Sequence, residues 1–260
     1  MLHKRSLCNT KLKLLVFIFA FFLITQTDVL SQFSKGFSAA GGISTTTILG
    51  NNPTTRPFFE RDSSKAPSYG GGFNGPQMGM GVKFFFPLDT SERFVIPLGF
   101  EYQFFDSRER VPLTNKLLQE ITHTYGVGTI SLGLNYTLKR YVFANTRIYF
   151  GLEGRTTMLS TNKFSVYTHY SKSDSTEFNE DSFKSAATRL GAALRLGIEG
   201  QFMPNWFVNI SGGVGILNLF GKENERGELF TPKKQTFFYI EDKETTIYSF
   251  HFAFLIQYKM

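Results

Sequence analysis

From Tyr248 to Met260, every second residue is large and apolar: Tyr248, Phe250, Phe252, Phe254, Ile256, Tyr258 and Met260. Between them stand Ser249, His251, Ala253, Leu255, Gln257 and Lys259. Side chains alternate sides along a strand. A period of two held this long therefore predicts a β-strand with one greasy face and one mostly polar face. An aromatic-rich strand of this kind at the C-terminus is the pattern of a barrel whose outer surface meets lipid. Met260 takes the phase in which such strands usually end on Phe.

Eight segments alternate in this way, an even number as barrel closure in this class requires. They are residues 33–47, 77–86, 93–105, 123–137, 146–156, 187–202, 206–217 and 248–260. Their apolar faces are almost free of charge, as in Phe94, Ile96, Leu98, Phe100, Tyr102 and Phe104 of the third segment. The connections alternate in length. Short ones fall at 87–92, 138–144 and 203–205, long ones at 50–76, 106–122, 158–185 and 218–244. Short periplasmic turns opposite long external loops are the expected barrel asymmetry.

Phe86, Phe94, Tyr136, Tyr141, Phe202, Trp206 and Tyr258 gather beside the short turns. Amphipathic rings prefer the membrane–water interface, so these residues read as an aromatic girdle. Tyr102, Phe104 and Tyr125 are candidates for the outer girdle. A soluble barrel would bury its apolar face and turn its charges outward. The charge-free apolar faces, the aromatics at strand ends and the terminal strand favour the lipid-facing arrangement. The expected fold is all-β: an eight-stranded antiparallel transmembrane β-barrel over 32–260, preceded by a signal peptide over 1–31.

The signal peptide rests on Lys4, Arg5, Lys11 and Lys13, followed by the apolar run LLVFIFAFFLIT. That run is short for a bilayer span and suits a secretory signal, with a cut expected before Gln32. The only cysteine, Cys8, precedes the apolar run, so the mature chain carries no thiol for a disulfide or a metal. The formal charge is +7, and the signal segment holds four bases and one acid, which leaves +4. This mild excess on an exported chain argues against nucleic acid as a partner.

The chain resembles the small outer-membrane β-barrel families, the OmpA-type transmembrane domain and the PorT-like barrels of Gram-negative bacteria. The resemblance spans 32–260. It rests on the Gly-rich first strand GFSAAGGIS, the strand–turn–strand FFFPLDTSERFVIPLGFEYQFF and the terminal FHFAFLIQYKM. It implies a location in the outer membrane and contact with its lipid and lipopolysaccharide. It implies no catalytic residue and no cofactor. A role in an envelope secretion assembly is what the PorT-like likeness would add.

The expected lumen set is Lys83, Glu101, Arg147, Glu153, Arg155, Arg189, Arg195 and Glu199. Inside eight strands there is room for side chains and little else. Charges there must pair, which makes a salt-bridged plug. Five bases against three acids leave a narrow anion-preferring pore as the alternative. His251 faces inward two residues from Ser249, the only hint of a lipid hydrolase. Neighbours on one strand face run parallel, and no oxyanion hole is evident. Four histidines without ligand spacing make no metal site. The long loops carry Tyr167, Tyr170 and Phe237 among polar residues, a composition suited to contact with other envelope proteins. The run KFSVYTHY within 158–185 predicts strands that project beyond the membrane.

Overall fold

The computed structural model describes residues 36–57, 70–114, 117–170, 175–180, 184–223, 225, 227–232 and 243–260. The expected signal segment and Phe237 lie outside these residues. The described chain forms ten strands: β1 (Ser38–Leu49), β2 (Gln77–Pro87), β3 (Phe94–Thr114), β4 (Leu117–Tyr141), β5 (Thr146–Leu159), β6 (Lys163–Tyr170), β7 (Ser175–Glu180), β8 (Ala187–Met203), β9 (Trp206–Phe220) and β10 (Tyr248–Lys259).

Eight of them close a ring in the order β1, β2, β3, β4, β5, β8, β9, β10 and back to β1, and every pairing is antiparallel. The last seam runs from Ser38 opposite Lys259 to Leu49 opposite Tyr248. The terminal strand is therefore the closing strand. At this seam the backbones approach closely: a Cβ on Gly42 would run into the Phe254 carbonyl oxygen. On the tight side of the ring, β8 and β9 are joined by Pro204 and Asn205, with Asn205 at φ +65°. Asparagine tolerates that left-handed conformation, which keeps the connection short.

Burial alternates along each ring strand, and its sense decides the class. On β10, Phe250, Phe252 and Phe254 are exposed, while Ser249, His251 and Gln257 are buried. On β8, Leu190, Leu194, Leu196 and Ile198 are exposed, while Arg189, Arg195 and Glu199 are buried. A water-soluble barrel has the opposite sense. Burying charges and exposing leucines is stable only where hydrocarbon surrounds the ring.

Two regions differ from the sequence expectation. The stretch 106–122, expected as a loop, is a hairpin in which β3 and β4 stay paired from Asp106 opposite Thr124 to Thr114 opposite Leu117. Its outward residues Asp106, Arg108 and Arg110 are polar, so the apolar alternation stops while the backbone pairing continues. Above the membrane a strand needs no greasy face. Second, β4 changes partner: β5 pairs with it up to Val127, and β6 takes over from Thr124 to Leu117. β7 then pairs with β6. The result is a four-stranded sheet, β3–β4–β6–β7, rising from one side of the ring. β6 coincides with the run KFSVYTHY.

Candidate functional site

The lumen is built by inward positions spaced two apart on each strand. On β5 these are Arg147, Tyr149, Glu153, Arg155, Thr157 and Leu159, in order from the short-turn end to the loop end. The interior therefore has levels, each with its own chemistry.

At the short-turn end, Arg147 and Lys259 face Glu199 and Glu92. The Arg147 guanidinium reaches Glu199 at 2.7 Å and Glu92 at 3.2 Å. Lys259 Nζ lies 2.8 Å from each carboxylate and 4.4 Å from the Phe207 ring centroid. Above this quartet a relay of neutral groups crosses the ring. Tyr149 donates to Asn209 Oδ1 at 2.7 Å, Asn209 donates to Gln257 Oε1 at 3.1 Å, and Gln257 donates to Ser38 Oγ at 2.8 Å. Tyr149 has its space because residue 197 is glycine: a Cβ there would strike the ring.

The middle level joins six strands. Lys83 Nζ from β2 is 2.8 Å from Glu153 on β5 and 3.8 Å from Glu101 on β3. Arg195 on β8 is 3.3 Å from Glu153, 3.8 Å from Glu101 and 3.2 Å from Ser211 Oγ. Arg155 touches Glu153 at 3.3 Å. His251 on β10 completes the level, with Nε2 2.7 Å from Glu101 and Nδ1 3.1 Å from Arg195. Arginine only donates, so the ring accepts at Nδ1 and donates from Nε2. Glu153 is 1% exposed and Glu199 0%, which leaves no water-wide space beside either carboxylate.

Toward the loops, Arg189 makes a forked pair with Glu244, at 2.9 Å from Nε and 2.7 Å from the terminal nitrogen. Asn218 Nδ2 donates to the same carboxylate at 2.7 Å. Above this lies an apolar plug. Phe73 and Phe230, from two long loops, pack against the wall residues Phe105 and Tyr125, with Ile48, Val127, Leu159, Leu217, Leu229 and Ile247 around them. The Phe105 and Phe230 rings stack at 4.9 Å, and Phe73 meets Phe105 edge-on at 5.5 Å. Tyr125 donates to the Thr231 carbonyl at 3.2 Å. This corrects the expectation of an outer-girdle Tyr125: the side chain points into the lumen because loop aromatics meet it there.

His123 sits at the edge of the plug, with Nδ1 3.1 Å from the Gly71 carbonyl and Nε2 3.2 Å from Asn162 Nδ2. Burial pushes its pKa down to about 3, so both hydrogen bonds belong to a neutral ring. Burial acts on Glu228 in the opposite sense and holds its carboxyl above the usual range.

All eight expected lumen residues are buried inside the ring, and all take part in ion pairs there. Sequence reasoning missed Glu92, Glu244 and Lys259 as partners, since two lie in connections and one ends a strand. The expected girdle residues sit around the short-turn rim. Phe94 and Tyr136 pair at 5.3 Å, Trp206 and Tyr258 at 5.0 Å, and Phe37 and Phe86 at 5.3 Å. Tyr141 and Phe202 are exposed on the same rim.

An interior of paired charges under an aromatic plug, inside a ring with leucine and phenylalanine outside, decides the architecture. The chain is an inside-out, eight-stranded β-barrel. No protein-family model matches it, and no curated protein matches its sequence. Among solved structures it is similar to Ail, the attachment invasion locus protein of Yersinia pestis, crystallised with the heparin analogue sucrose octasulfate. That match has 11% identity, 87% of this chain and 99% of that chain covered, and a TM-score of 0.41. It is also similar to Neisserial surface protein A, at 8% identity, with 86% and 97% covered and a TM-score of 0.42.

Beyond the ring, the projecting sheet carries a different surface. Tyr167 on β6 and Phe178 on β7 lie opposite each other with ring centroids 5.4 Å apart. They are 47% and 54% exposed. Tyr170 is exposed near the tip and donates to Glu177 at 3.3 Å. On the same sheet Arg108 and Arg110 flank Glu120, with Arg110 at 3.0 Å, and hold its carboxyl below the usual range.

Proposed function

We propose that this chain is an outer-membrane protein of a Gram-negative envelope, a closed barrel that anchors an interaction surface above the bilayer. One contrast carries the reading. The interior pairs its charged groups with one another, whereas the rim extends a sheet that leaves Tyr167 and Phe178 exposed. Exposed aromatics with polar neighbours are the composition of protein contact surfaces. The apolar outer band suits lipid. Arg108, Arg110 and Lys163, just above it, suit the phosphate groups of lipopolysaccharide.

Conduction and catalysis do not fit as well. Glu153 and Glu199, one carboxylate at each of two levels, are fully buried among their ion-pair partners. Both nitrogens of His251 are engaged by Glu101 and Arg195, and Ser249 Oγ makes no hydrogen bond with it. The reading is tested by photo-crosslinking in cells from positions 167 and 178. A discrete protein adduct is the expected result. Adducts to lipopolysaccharide alone, with the barrel correctly folded, would remove protein docking from the account.

A further inference from the structure

The three short turns of the barrel carry different chemistry. The β2–β3 turn is polar and acidic, with Asp89, Thr90, Ser91 and Glu92, and the β8–β9 turn is Pro204 and Asn205. The end of the β4–β5 hairpin reads Lys139, Arg140, Tyr141, Val142 and Phe143, two bases and no acid. Val142 is fully exposed and Phe143 is 87% exposed, more than any other large apolar side chain among the described residues.

The leucines of the outer wall meet hydrocarbon, but this tip lies past it. On β5, Phe150 shares a row with Tyr136 and Phe94 of the girdle, and Thr146, which closes the turn against Tyr141, is four residues further along. Four residues span about 13 Å of strand, roughly 10 Å along the axis of a tilted barrel. The headgroup layer on each side of the hydrocarbon is only about 6 Å deep. Val142 and Phe143 therefore stand in water beyond the bilayer. The tip is also braced. Arg140 donates to the Ser91 carbonyl at 2.7 Å and so ties it to the neighbouring turn. The Asn145 N–H reaches the Val142 carbonyl at 3.3 Å. Ala144 and Asn145 take φ of +52° and +43°, and an alanine held in the left-handed region is strained. Lys139 lies over the Tyr141 ring, 5.0 Å from its centroid, and has no carboxylate partner among the described residues.

A solvated phenylalanine on a braced, basic tip has the make-up of a docking knob. Large apolar anchors that enter a pocket carry most of the energy of an interface, and a fixed shape lowers the cost of ordering them. A free ammonium beside them selects a partner of opposite charge. We propose that the β4–β5 tip docks a periplasmic protein, seating Val142 and Phe143 in an apolar pocket whose rim places a carboxylate beside Lys139. This contact is separate from Tyr167 and Phe178, which stand at the other end of the barrel. It rests on the outer-membrane reading, which puts the short turns in the periplasm.

Recovery of the barrel in the outer-membrane fraction, with heat-modifiable gel mobility, checks that reading by itself. The docking is tested in cells with a photo-crosslinking phenylalanine analogue at position 143 of the full chain. A discrete adduct with one periplasmic protein, identified by mass spectrometry, is expected. Lys139→Glu should lower its yield on the order of tenfold, since a like charge then faces the acidic rim. Should the analogue at 143 prevent folding, position 142 takes its place. An adduct yield unchanged in Lys139→Glu overturns the proposal. Adducts to phospholipid alone, adducts to a second copy of the chain, or none at all, from a folded barrel in the outer membrane, overturn it equally.

Discussion

The two halves of the lumen solve the same packing problem with opposite chemistry. In the middle level, charged side chains from β2, β3, β5 and β8 meet across the axis, joined by the His251 ring from β10, so the wall is tied to itself. Near the loops, wall residues such as Phe105 and Tyr125 meet Phe73 and Phe230, which come from connections. The first arrangement sets the cross-section of the ring, because each carboxylate must sit where several strands bring their cations. The second closes a mouth, because apolar contact is non-directional and lets loop residues settle over it. Rigidity is thus expected in the charged level and adjustability in the plug.

The strongest way to break that comparison is Glu153→Gln. This carboxylate serves Lys83, Arg155 and Arg195 together, and removing one partner of a buried pair costs about 3–5 kcal/mol. Urea unfolding in micelles should show the loss, and a loss below that of a surface variant would mean that the level is not a staple. Phe230→Ala should cost about 3 kcal/mol, near the lower end for a buried phenylalanine, since its loop can settle into the gap. Hydrogen exchange should rise around Phe73 and Tyr125 and stay unchanged at Glu153. Exchange spread through both halves would erase the distinction.

Acid sharpens it further. An ordinary histidine takes its proton near 6.5, but His123 inside the plug does so only near 3. Between those values the unfolded chain binds more protons, so the stability of the plug is full above about 6.5 and falls as the pH drops toward 3. Lys184 and Glu228 lie in the same region, and Glu228 contributes with the opposite sign. The readout is therefore the difference from His123→Gln, whose proteolytic sensitivity should depend less on pH across this window. The smallest effect belongs to Glu120→Gln on the projecting sheet. Its arginine pairs are exposed, and the melting midpoint should not move, though cross-linking from position 167 is free to change.

How much of this was legible follows from what the alternation encodes. The phase of the ring strands and the inward set from Lys83 to Glu199 could be read directly, because one face had to be greasy and the other not. Tyr125, Phe105 and Leu217 could not be placed this way. They are apolar on the inward face, which makes sense only once the loops fold back over them. The paired stretch from Asp106 to Thr124 was hidden for the converse reason, since above the bilayer a strand loses the greasy face that marks it. Partners such as Glu92 and Glu244 come from connections, whose three-dimensional return no periodicity records. His251 was legible as inward, but its bonds to Glu101 and Arg195 depend on the register of three strands.

The central claim is that the lumen is closed by its own side chains. Single-channel recording of the purified full barrel in planar bilayers tests it most directly. The account predicts a flat baseline at both polarities, with no steady unitary steps. A stable, long-lived open conductance from the folded wild-type barrel would contradict it.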